Sequence, residues 1–147
     1  MTDVVALARK LYRAINQQKT QDPVGQLDLI YLIMDSIEEL YILSGRQSMF
    51  SEDMFVLDES GEEITCTFAD DLSTDERKWV VLNAEINFYK WVQNSVDDMF
   101  SYTTDAMSVA HGDKPYKNIG ETIADRQSKL NRIWYSMTRY TQLGVAE

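Results

Sequence analysis

Residues 73–143 constrain the fold most, because they read as two long helices joined by a tip from Tyr102 to Lys117. Ser73-Thr74-Asp75-Glu76 is a capping box: Ser73 caps the first helix and Glu76 reaches back to the backbone N–H. Trp79, Leu82, Ile86, Tyr89, Val96 and Phe100 then recur at helical spacing as one apolar stripe. Val81, Ala84, Phe88, Trp91 and Val92 make a second stripe on another side of the same helix. A helix apolar on two sides is covered from two directions, so this one is expected at the centre of the fold.

The returning helix is expected from near Asn118, where Glu121 completes a second capping box, with Gly144 as its stop. Ile119, Ile123, Leu130, Ile133, Trp134, Met137 and Tyr140 line one face. Arg126, Lys129, Arg132 and Arg139 run between the stripes as a solvated or subunit-facing side. At 1.5 Å per residue, helices of about 25 residues span roughly 40 Å each. That length suits an assembly part better than a catalyst.

Upstream, Val4, Leu7, Leu11 and Ile15 predict a first helix over about Thr2–Gln18, with Arg9, Lys10 and Arg13 facing away. Asp22-Pro23 reads as the cap and first residue of a second helix. Its seam is Leu27, Ile30, Met34, Ile37 and Tyr41, and Gly45 ends it. Residues 46–72 change character. Met54–Leu57 and Ile64–Phe68 are β-rich, and Asp58-Glu59-Ser60-Gly61 carries turn chemistry. A small β-hairpin able to pair with a neighbouring chain, or an ordered acidic loop without strands, is expected there. The fold class is therefore mainly α: one domain over 1–147, divided into a helix pair (1–45), the acidic insert (46–72) and the long hairpin (73–143).

Composition narrows the function. With 147 residues, 44% hydrophobic and 11% aromatic, the chain can bury a real core. No apolar run approaches a membrane span. Asp3 precedes Arg9, Lys10 and Arg13, the reverse of a secretion signal, and Cys66 is the sole cysteine; synthesis in a reducing cytoplasm is expected. The net charge is −10, and residues 49–77 hold ten acidic residues against one basic, Arg77. Phosphate binding needs the opposite sign, so direct nucleic-acid binding is not expected. A solvated loop is the plain reading of such a like-charged block.

Catalytic chemistry finds no home here. The one histidine, His111, sits in Ala-His-Gly-Asp, and a Cys66–His111 nucleophile pair lacks any recognisable nucleophile turn. The run from Asp70-Asp71 to Asp75-Glu76 lacks the ligand spacing and the glycine of a calcium loop. Asp97-Asp98 reads as a solvated helix surface, and glycine-rich phosphate cradles are absent. No enzyme, cofactor or metal site is expected. The distinctive stretch is instead the tip, about twice the usual helix–helix connection. Tyr102, Met107, Val109 and Tyr116 there either fold back onto the hairpin or dock a partner.

Four features in order carry a resemblance: Asp70-Asp71-Leu72-Ser73, a long aromatic-rich helix, Ser101–Val109 with Gly112-Asp113-Lys114-Pro115-Tyr116, and a basic-apolar last helix. Over about residues 70–140 the chain resembles small virion proteins of tailed bacteriophages, in particular head-to-tail connector (adaptor) proteins. The resemblance implies a helical subunit at the portal vertex, assembled in the host cytoplasm into a homo-oligomeric ring, a dodecamer. The ring would bind the portal protein, dock a tail-completion or tail protein, and pass DNA without holding it. Tyr102, Met107, Val109, Tyr116, Trp79, Phe88, Trp91 and Trp134 are then candidates for partner or subunit contacts. Glu52, Asp53, Asp58, Glu59, Glu62 and Glu63 are candidates for a phosphate-repelling channel lining. A small acidic, DNA-mimicking inhibitor of a host nucleic-acid-binding protein and a generic helical interaction module are the alternatives. A DNA mimic should spread its carboxylates over a continuous face, whereas these cluster in 49–77.

Overall fold

The structure is a computed structural model, and it describes residues 1–17, 25–102 and 119–142. Strand β1 (Thr2–Asp3) leads into α1 (Val4–Gln17) and α2 (Gln26–Leu43). Two short 3-10 turns, Gln47–Met49 and Glu52–Met54, precede β2 (Phe55–Asp58) and β3 (Thr65–Phe68). Helices α3 (Thr74–Tyr102) and α4 (Ile119–Gln142) follow. The fold is mainly helical with a small antiparallel sheet inserted between helices, as the hydrophobic periods predict.

Helix α3 is covered from two directions. α1, α2 and α4 all pack against it, and α1 and α2 also pack against each other. Toward α2, Val80 offers its carbonyl to the Ser36 hydroxyl at 2.7 Å, and Asn83 donates to the Ser36 oxygen at 3.1 Å. Toward α4, the Trp79 and Trp134 rings lie 6.2 Å apart, Glu85 accepts from Arg126, and Gly120 lies beside Gln93. As the α3 position rises the α4 position falls, so these helices run antiparallel. Their 29 and 24 residues correspond to about 43 and 36 Å.

The core follows the predicted stripes closely. Leu7, Leu11, Ile15, Ile30, Ile37, Tyr41, Trp79, Ile86, Tyr89, Ala84, Phe88, Val92 and Leu130 are all buried. Ile119, Ile123, Ile133, Trp134 and Met137 pack on that core from α4. The side chains of Val96, Phe100, Arg139 and Tyr140 lie outside those described, as does the second capping box at Asn118.

The hairpin expected at 46–72 is present, and it is not alone. The sheet order is β1-β3-β2, all antiparallel, with Thr2 opposite Phe68 on one side and Phe55 opposite Phe68 on the other. The chain thus supplies its own third strand, where an exposed hairpin was expected to seek a neighbour. Thr2 is consequently strand, not the first residue of the helix. Its hydroxyl donates to the Asp70 carbonyl at 2.7 Å and accepts from Leu72 N–H at 3.0 Å. Asp3 caps α1 instead, accepting from the N–H groups of Val5 and Ala6 at 3.0 and 3.3 Å. Tyr41, Phe50, Phe55 and Phe68 join sheet to α2, with ring centroids 4.8–5.9 Å apart.

Helix ends are set by local chemistry. Helix α2 starts at Gln26 after an extended Gly25, later than the Asp22-Pro23 start, and those two residues fall outside the described ones. It stops in a Schellman motif: Arg46 N–H reaches the Tyr41 carbonyl at 2.8 Å and Gly45 N–H that of Ile42 at 3.2 Å. Gly45 adopts φ +76°, which an L side chain resists. The Ser73–Glu76 capping box is formed in both directions, at 3.0 and 3.2 Å.

Two substitutions test these helix ends. Ser73→Ala and Gly45→Ala should each lower stability by about 1 kcal/mol. The readout is a lower urea midpoint at unchanged slope. An unshifted midpoint for Ser73→Ala would mean the box does not hold α3's start.

Candidate functional site

Buried polar chemistry lies between helices, where it is structural in character. Glu39 on α2 accepts from the Asn83 and Asn87 amides, and Asn83 also binds Ser36. Asp35 is exposed at its surface, and partial desolvation, reinforced by the Glu39 charge, pushes its carboxyl up. Glu85 is 4% exposed and accepts from Arg126 at 2.9 Å, so Arg126 belongs to an internal pair and not to a solvated stripe. The Tyr89 hydroxyl beside them is buried without a hydrogen-bond partner among the described residues, and burial pushes its phenol up.

Cys66 is buried on β3. Burial pushes its thiol up to about 11, with the Asp3 carboxylate adding to the effect. A nucleophilic cysteine needs the reverse, a pKa brought down by nearby positive charge. His111 lies outside the described residues. Among the described residues no group of three or more His, Cys, Asp and Glu is placed to hold a metal ion, and no helix is long and apolar enough to cross a membrane.

The partner-contact candidates separate into three groups. Trp79 and Phe88 are 2% and 1% exposed. They fill the chain's own core, so neither is open to a partner; the two-sided apolar character that marked them is consumed by α1, α2 and α4. Trp91 is exposed, with its ring 6.0 Å from that of Phe88. Trp134 is half-buried against Trp79. Tyr102 ends α3, but its side chain, like Met107, Val109 and Tyr116, lies outside the described residues.

All six channel candidates are exposed: Glu52 and Asp53 before β2, Asp58 at its end, and Glu59, Glu62 and Glu63 in the connection to β3. None forms an ion pair among the described residues. Strand β2 is an edge of the sheet and spans about 13 Å at 3.3 Å per residue, so carboxylates bracket an exposed edge. Asp58 accepts from the N–H and hydroxyl of Ser60, and these bonds hold its carboxyl below the usual range.

Two open grooves mark the surface of the described residues. One, about 630 Å³, has Leu40, Leu43, Trp134 and Met137 on its walls and Arg46 and Glu76 at its polar end. Arg46 pairs with Glu76 and lies 4.3 Å over the Tyr41 ring, while Tyr41 donates to Asp70. The other, about 260 Å³, lies between α1 and the start of α2. Val5, Ala8 and Leu29 floor it, and Arg9, Tyr12, Arg13 and Gln26 rim it. Neither groove is marked in the sequence. Leu43 belongs to no sequence stripe, and Arg9 and Arg13 read as a face turned away from the core.

Comparison of the chain with protein-family models, with curated proteins and with solved structures returned no match.

The geometry yields two expected outcomes. Cys66 should resist alkylation at pH 8 in the folded protein and react at the free-thiol rate after unfolding; equal rates in both states would contradict its burial. Because the folded thiol ionises only near 11, its contribution to stability is complete below the unfolded value of 9.0 and fades as pH rises toward 11. Arg126→Ala should cost about 2–3 kcal/mol by leaving the Glu85 carboxylate unpaired, and adding Glu85→Gln should recover most of that loss. Additive effects in the double mutant would show that the pair is not coupled.

Proposed function

We propose that this chain is a non-catalytic virion assembly protein of the head-to-tail connector type. In this reading it binds the portal, forms a ring around the DNA path and docks the next tail component. The observation that carries the reading is the unpaired carboxylate fringe bracketing β2 in a chain of net charge −10. Carboxylates facing a channel repel phosphate and let a duplex slide. Ile42, Leu43 and Tyr135 are among the exposed apolar side chains that suit protein contacts. Such a subunit is rigid where α3 is clamped and sticky where these residues emerge.

The same fringe would suit an inhibitor that mimics DNA. Arg9, Lys10 and Arg13 on α1 and Lys129 and Arg132 on α4 are also exposed, however, and they break any continuous acidic face.

Quantitative mass spectrometry of purified particles of the encoding virus tests the proposal. A copy number near that of the portal is expected; a high copy number would indicate a capsid or tail-tube part. Absence from particles would reject a virion role and favour the inhibitor. Glu52→Gln with Asp53→Asn should alter DNA retention or ejection while particles still assemble. Loss of assembly instead would remove these residues from the channel.

A further inference from the structure

The groove between α1 and α2 is the basic counterpart of the acidic fringe. Arg9, Lys10 and Arg13 are exposed and form no ion pair among the described residues. In a chain with 14 basic and 24 acidic residues, Arg9 and Arg13 thus stand unpaired over an apolar floor of Val5, Ala8 and Leu29. Tyr12, 51% exposed, stands between Arg9 and Arg13 on the groove's rim and offers a flat apolar face. Glu59, Glu62 and Glu63 in the β2–β3 connection are exposed and equally unpaired among the described residues, and no carboxylate lines the groove. The two charged features belong to one chain and do not meet within it.

We propose that this groove receives the β2–β3 connection of a second copy of the chain. Glu59, Glu62 and Glu63 of the incoming copy pair with Arg9 and Arg13, and Lys10 adds to the attraction. The connection is suited to insertion because Gly61, at φ +104° with open space around it, leaves its tip without a side chain. Groove and connection are different surfaces, so the contact is head-to-tail and builds a ring or an open filament, according to the rotation between copies. It supplies a lateral contact for the ring proposed above and to that extent rests on that reading. It also divides the acidic residues between two uses: Glu52 and Asp53 remain for the DNA path, and the far end of β2 binds the neighbour.

Sedimentation velocity on the full chain tests this, with charge reversal on each side. Wild type should self-associate at low salt and dissociate as salt rises. Arg9→Glu/Arg13→Glu should weaken association by about tenfold or more, and so should Glu59→Lys/Glu62→Lys. All four positions are exposed, and unchanged circular dichroism and melting would confirm that each variant folds. An equimolar mixture of the two variants should restore association, because each groove then meets a connection of opposite charge. Wild-type protein that stays monomeric at low salt, variants that associate as wild type does, or a mixture without rescue would each overturn the contact. These failures leave the virion role standing, since that role is judged by copy number in particles. Rescue together with absence from particles would keep the contact and reject the role.

Discussion

Burial of α3 from two sides is the constraint on which the remaining structure depends. One side needs Val80, Ala84 and Asn83 covered by α2; the other needs Trp79, Glu85 and Tyr89 covered from the side of α4. α1 closes the first side while packing on α2 and on β3. No single neighbour can satisfy both sides, because residues facing α2 and residues facing α4 alternate around the same turns. The three-helix body and the returning α4 are thus consequences of one helix that is apolar on two sides.

Apolar burial alone would let these helices slide, and buried polar groups set the register. Ser36 is fully buried, donating to the Val80 carbonyl and accepting from the Asn83 amide; a slip would part Ser36 from the Asn83 side chain and leave a buried polar group unpaired, at a cost of about 1–3 kcal/mol. Glu85 similarly fixes α4 through Arg126. At the other end of the body, Tyr41 packs against Phe50 and Phe68, lies under Arg46 and donates to Asp70. One side chain therefore ties α2, the sheet and the entry to α3 together.

Much of this was legible in the sequence because it is local. Periods of three and four residues located the helices, the Ser73–Glu76 pair marked the start of α3, and Gly45 marked the end of α2. β-branched and aromatic runs located both hairpin strands. What was not legible is long-range. Thr2 pairs with Phe68 across 66 positions of chain, and nothing in the short run Thr2-Asp3 announces a strand. Asn83 and Glu85 look like solvent-facing breaks in an apolar helix, but each is buried by a partner more than 40 residues away. Trp79 and Phe88 are contact candidates only through the resemblance to ring-forming proteins, and the chain's own helices bury them instead. The grooves were invisible for the same reason, since a concave surface is made by elements meeting and not by any one of them.

The placement of charge then bears on association. The edge strand β2, with Val56 exposed, would be open to further strand pairing, and carboxylates at both ends of β2 oppose that route by like-charge repulsion between copies. The same carboxylates cannot repel a basic surface. Edge-to-edge aggregation is thereby disfavoured while attraction to a cationic groove is retained, so acidic residues on this edge restrict which surface a second copy can approach. Selectivity in such a chain comes from where the charges are fixed, more than from how many there are.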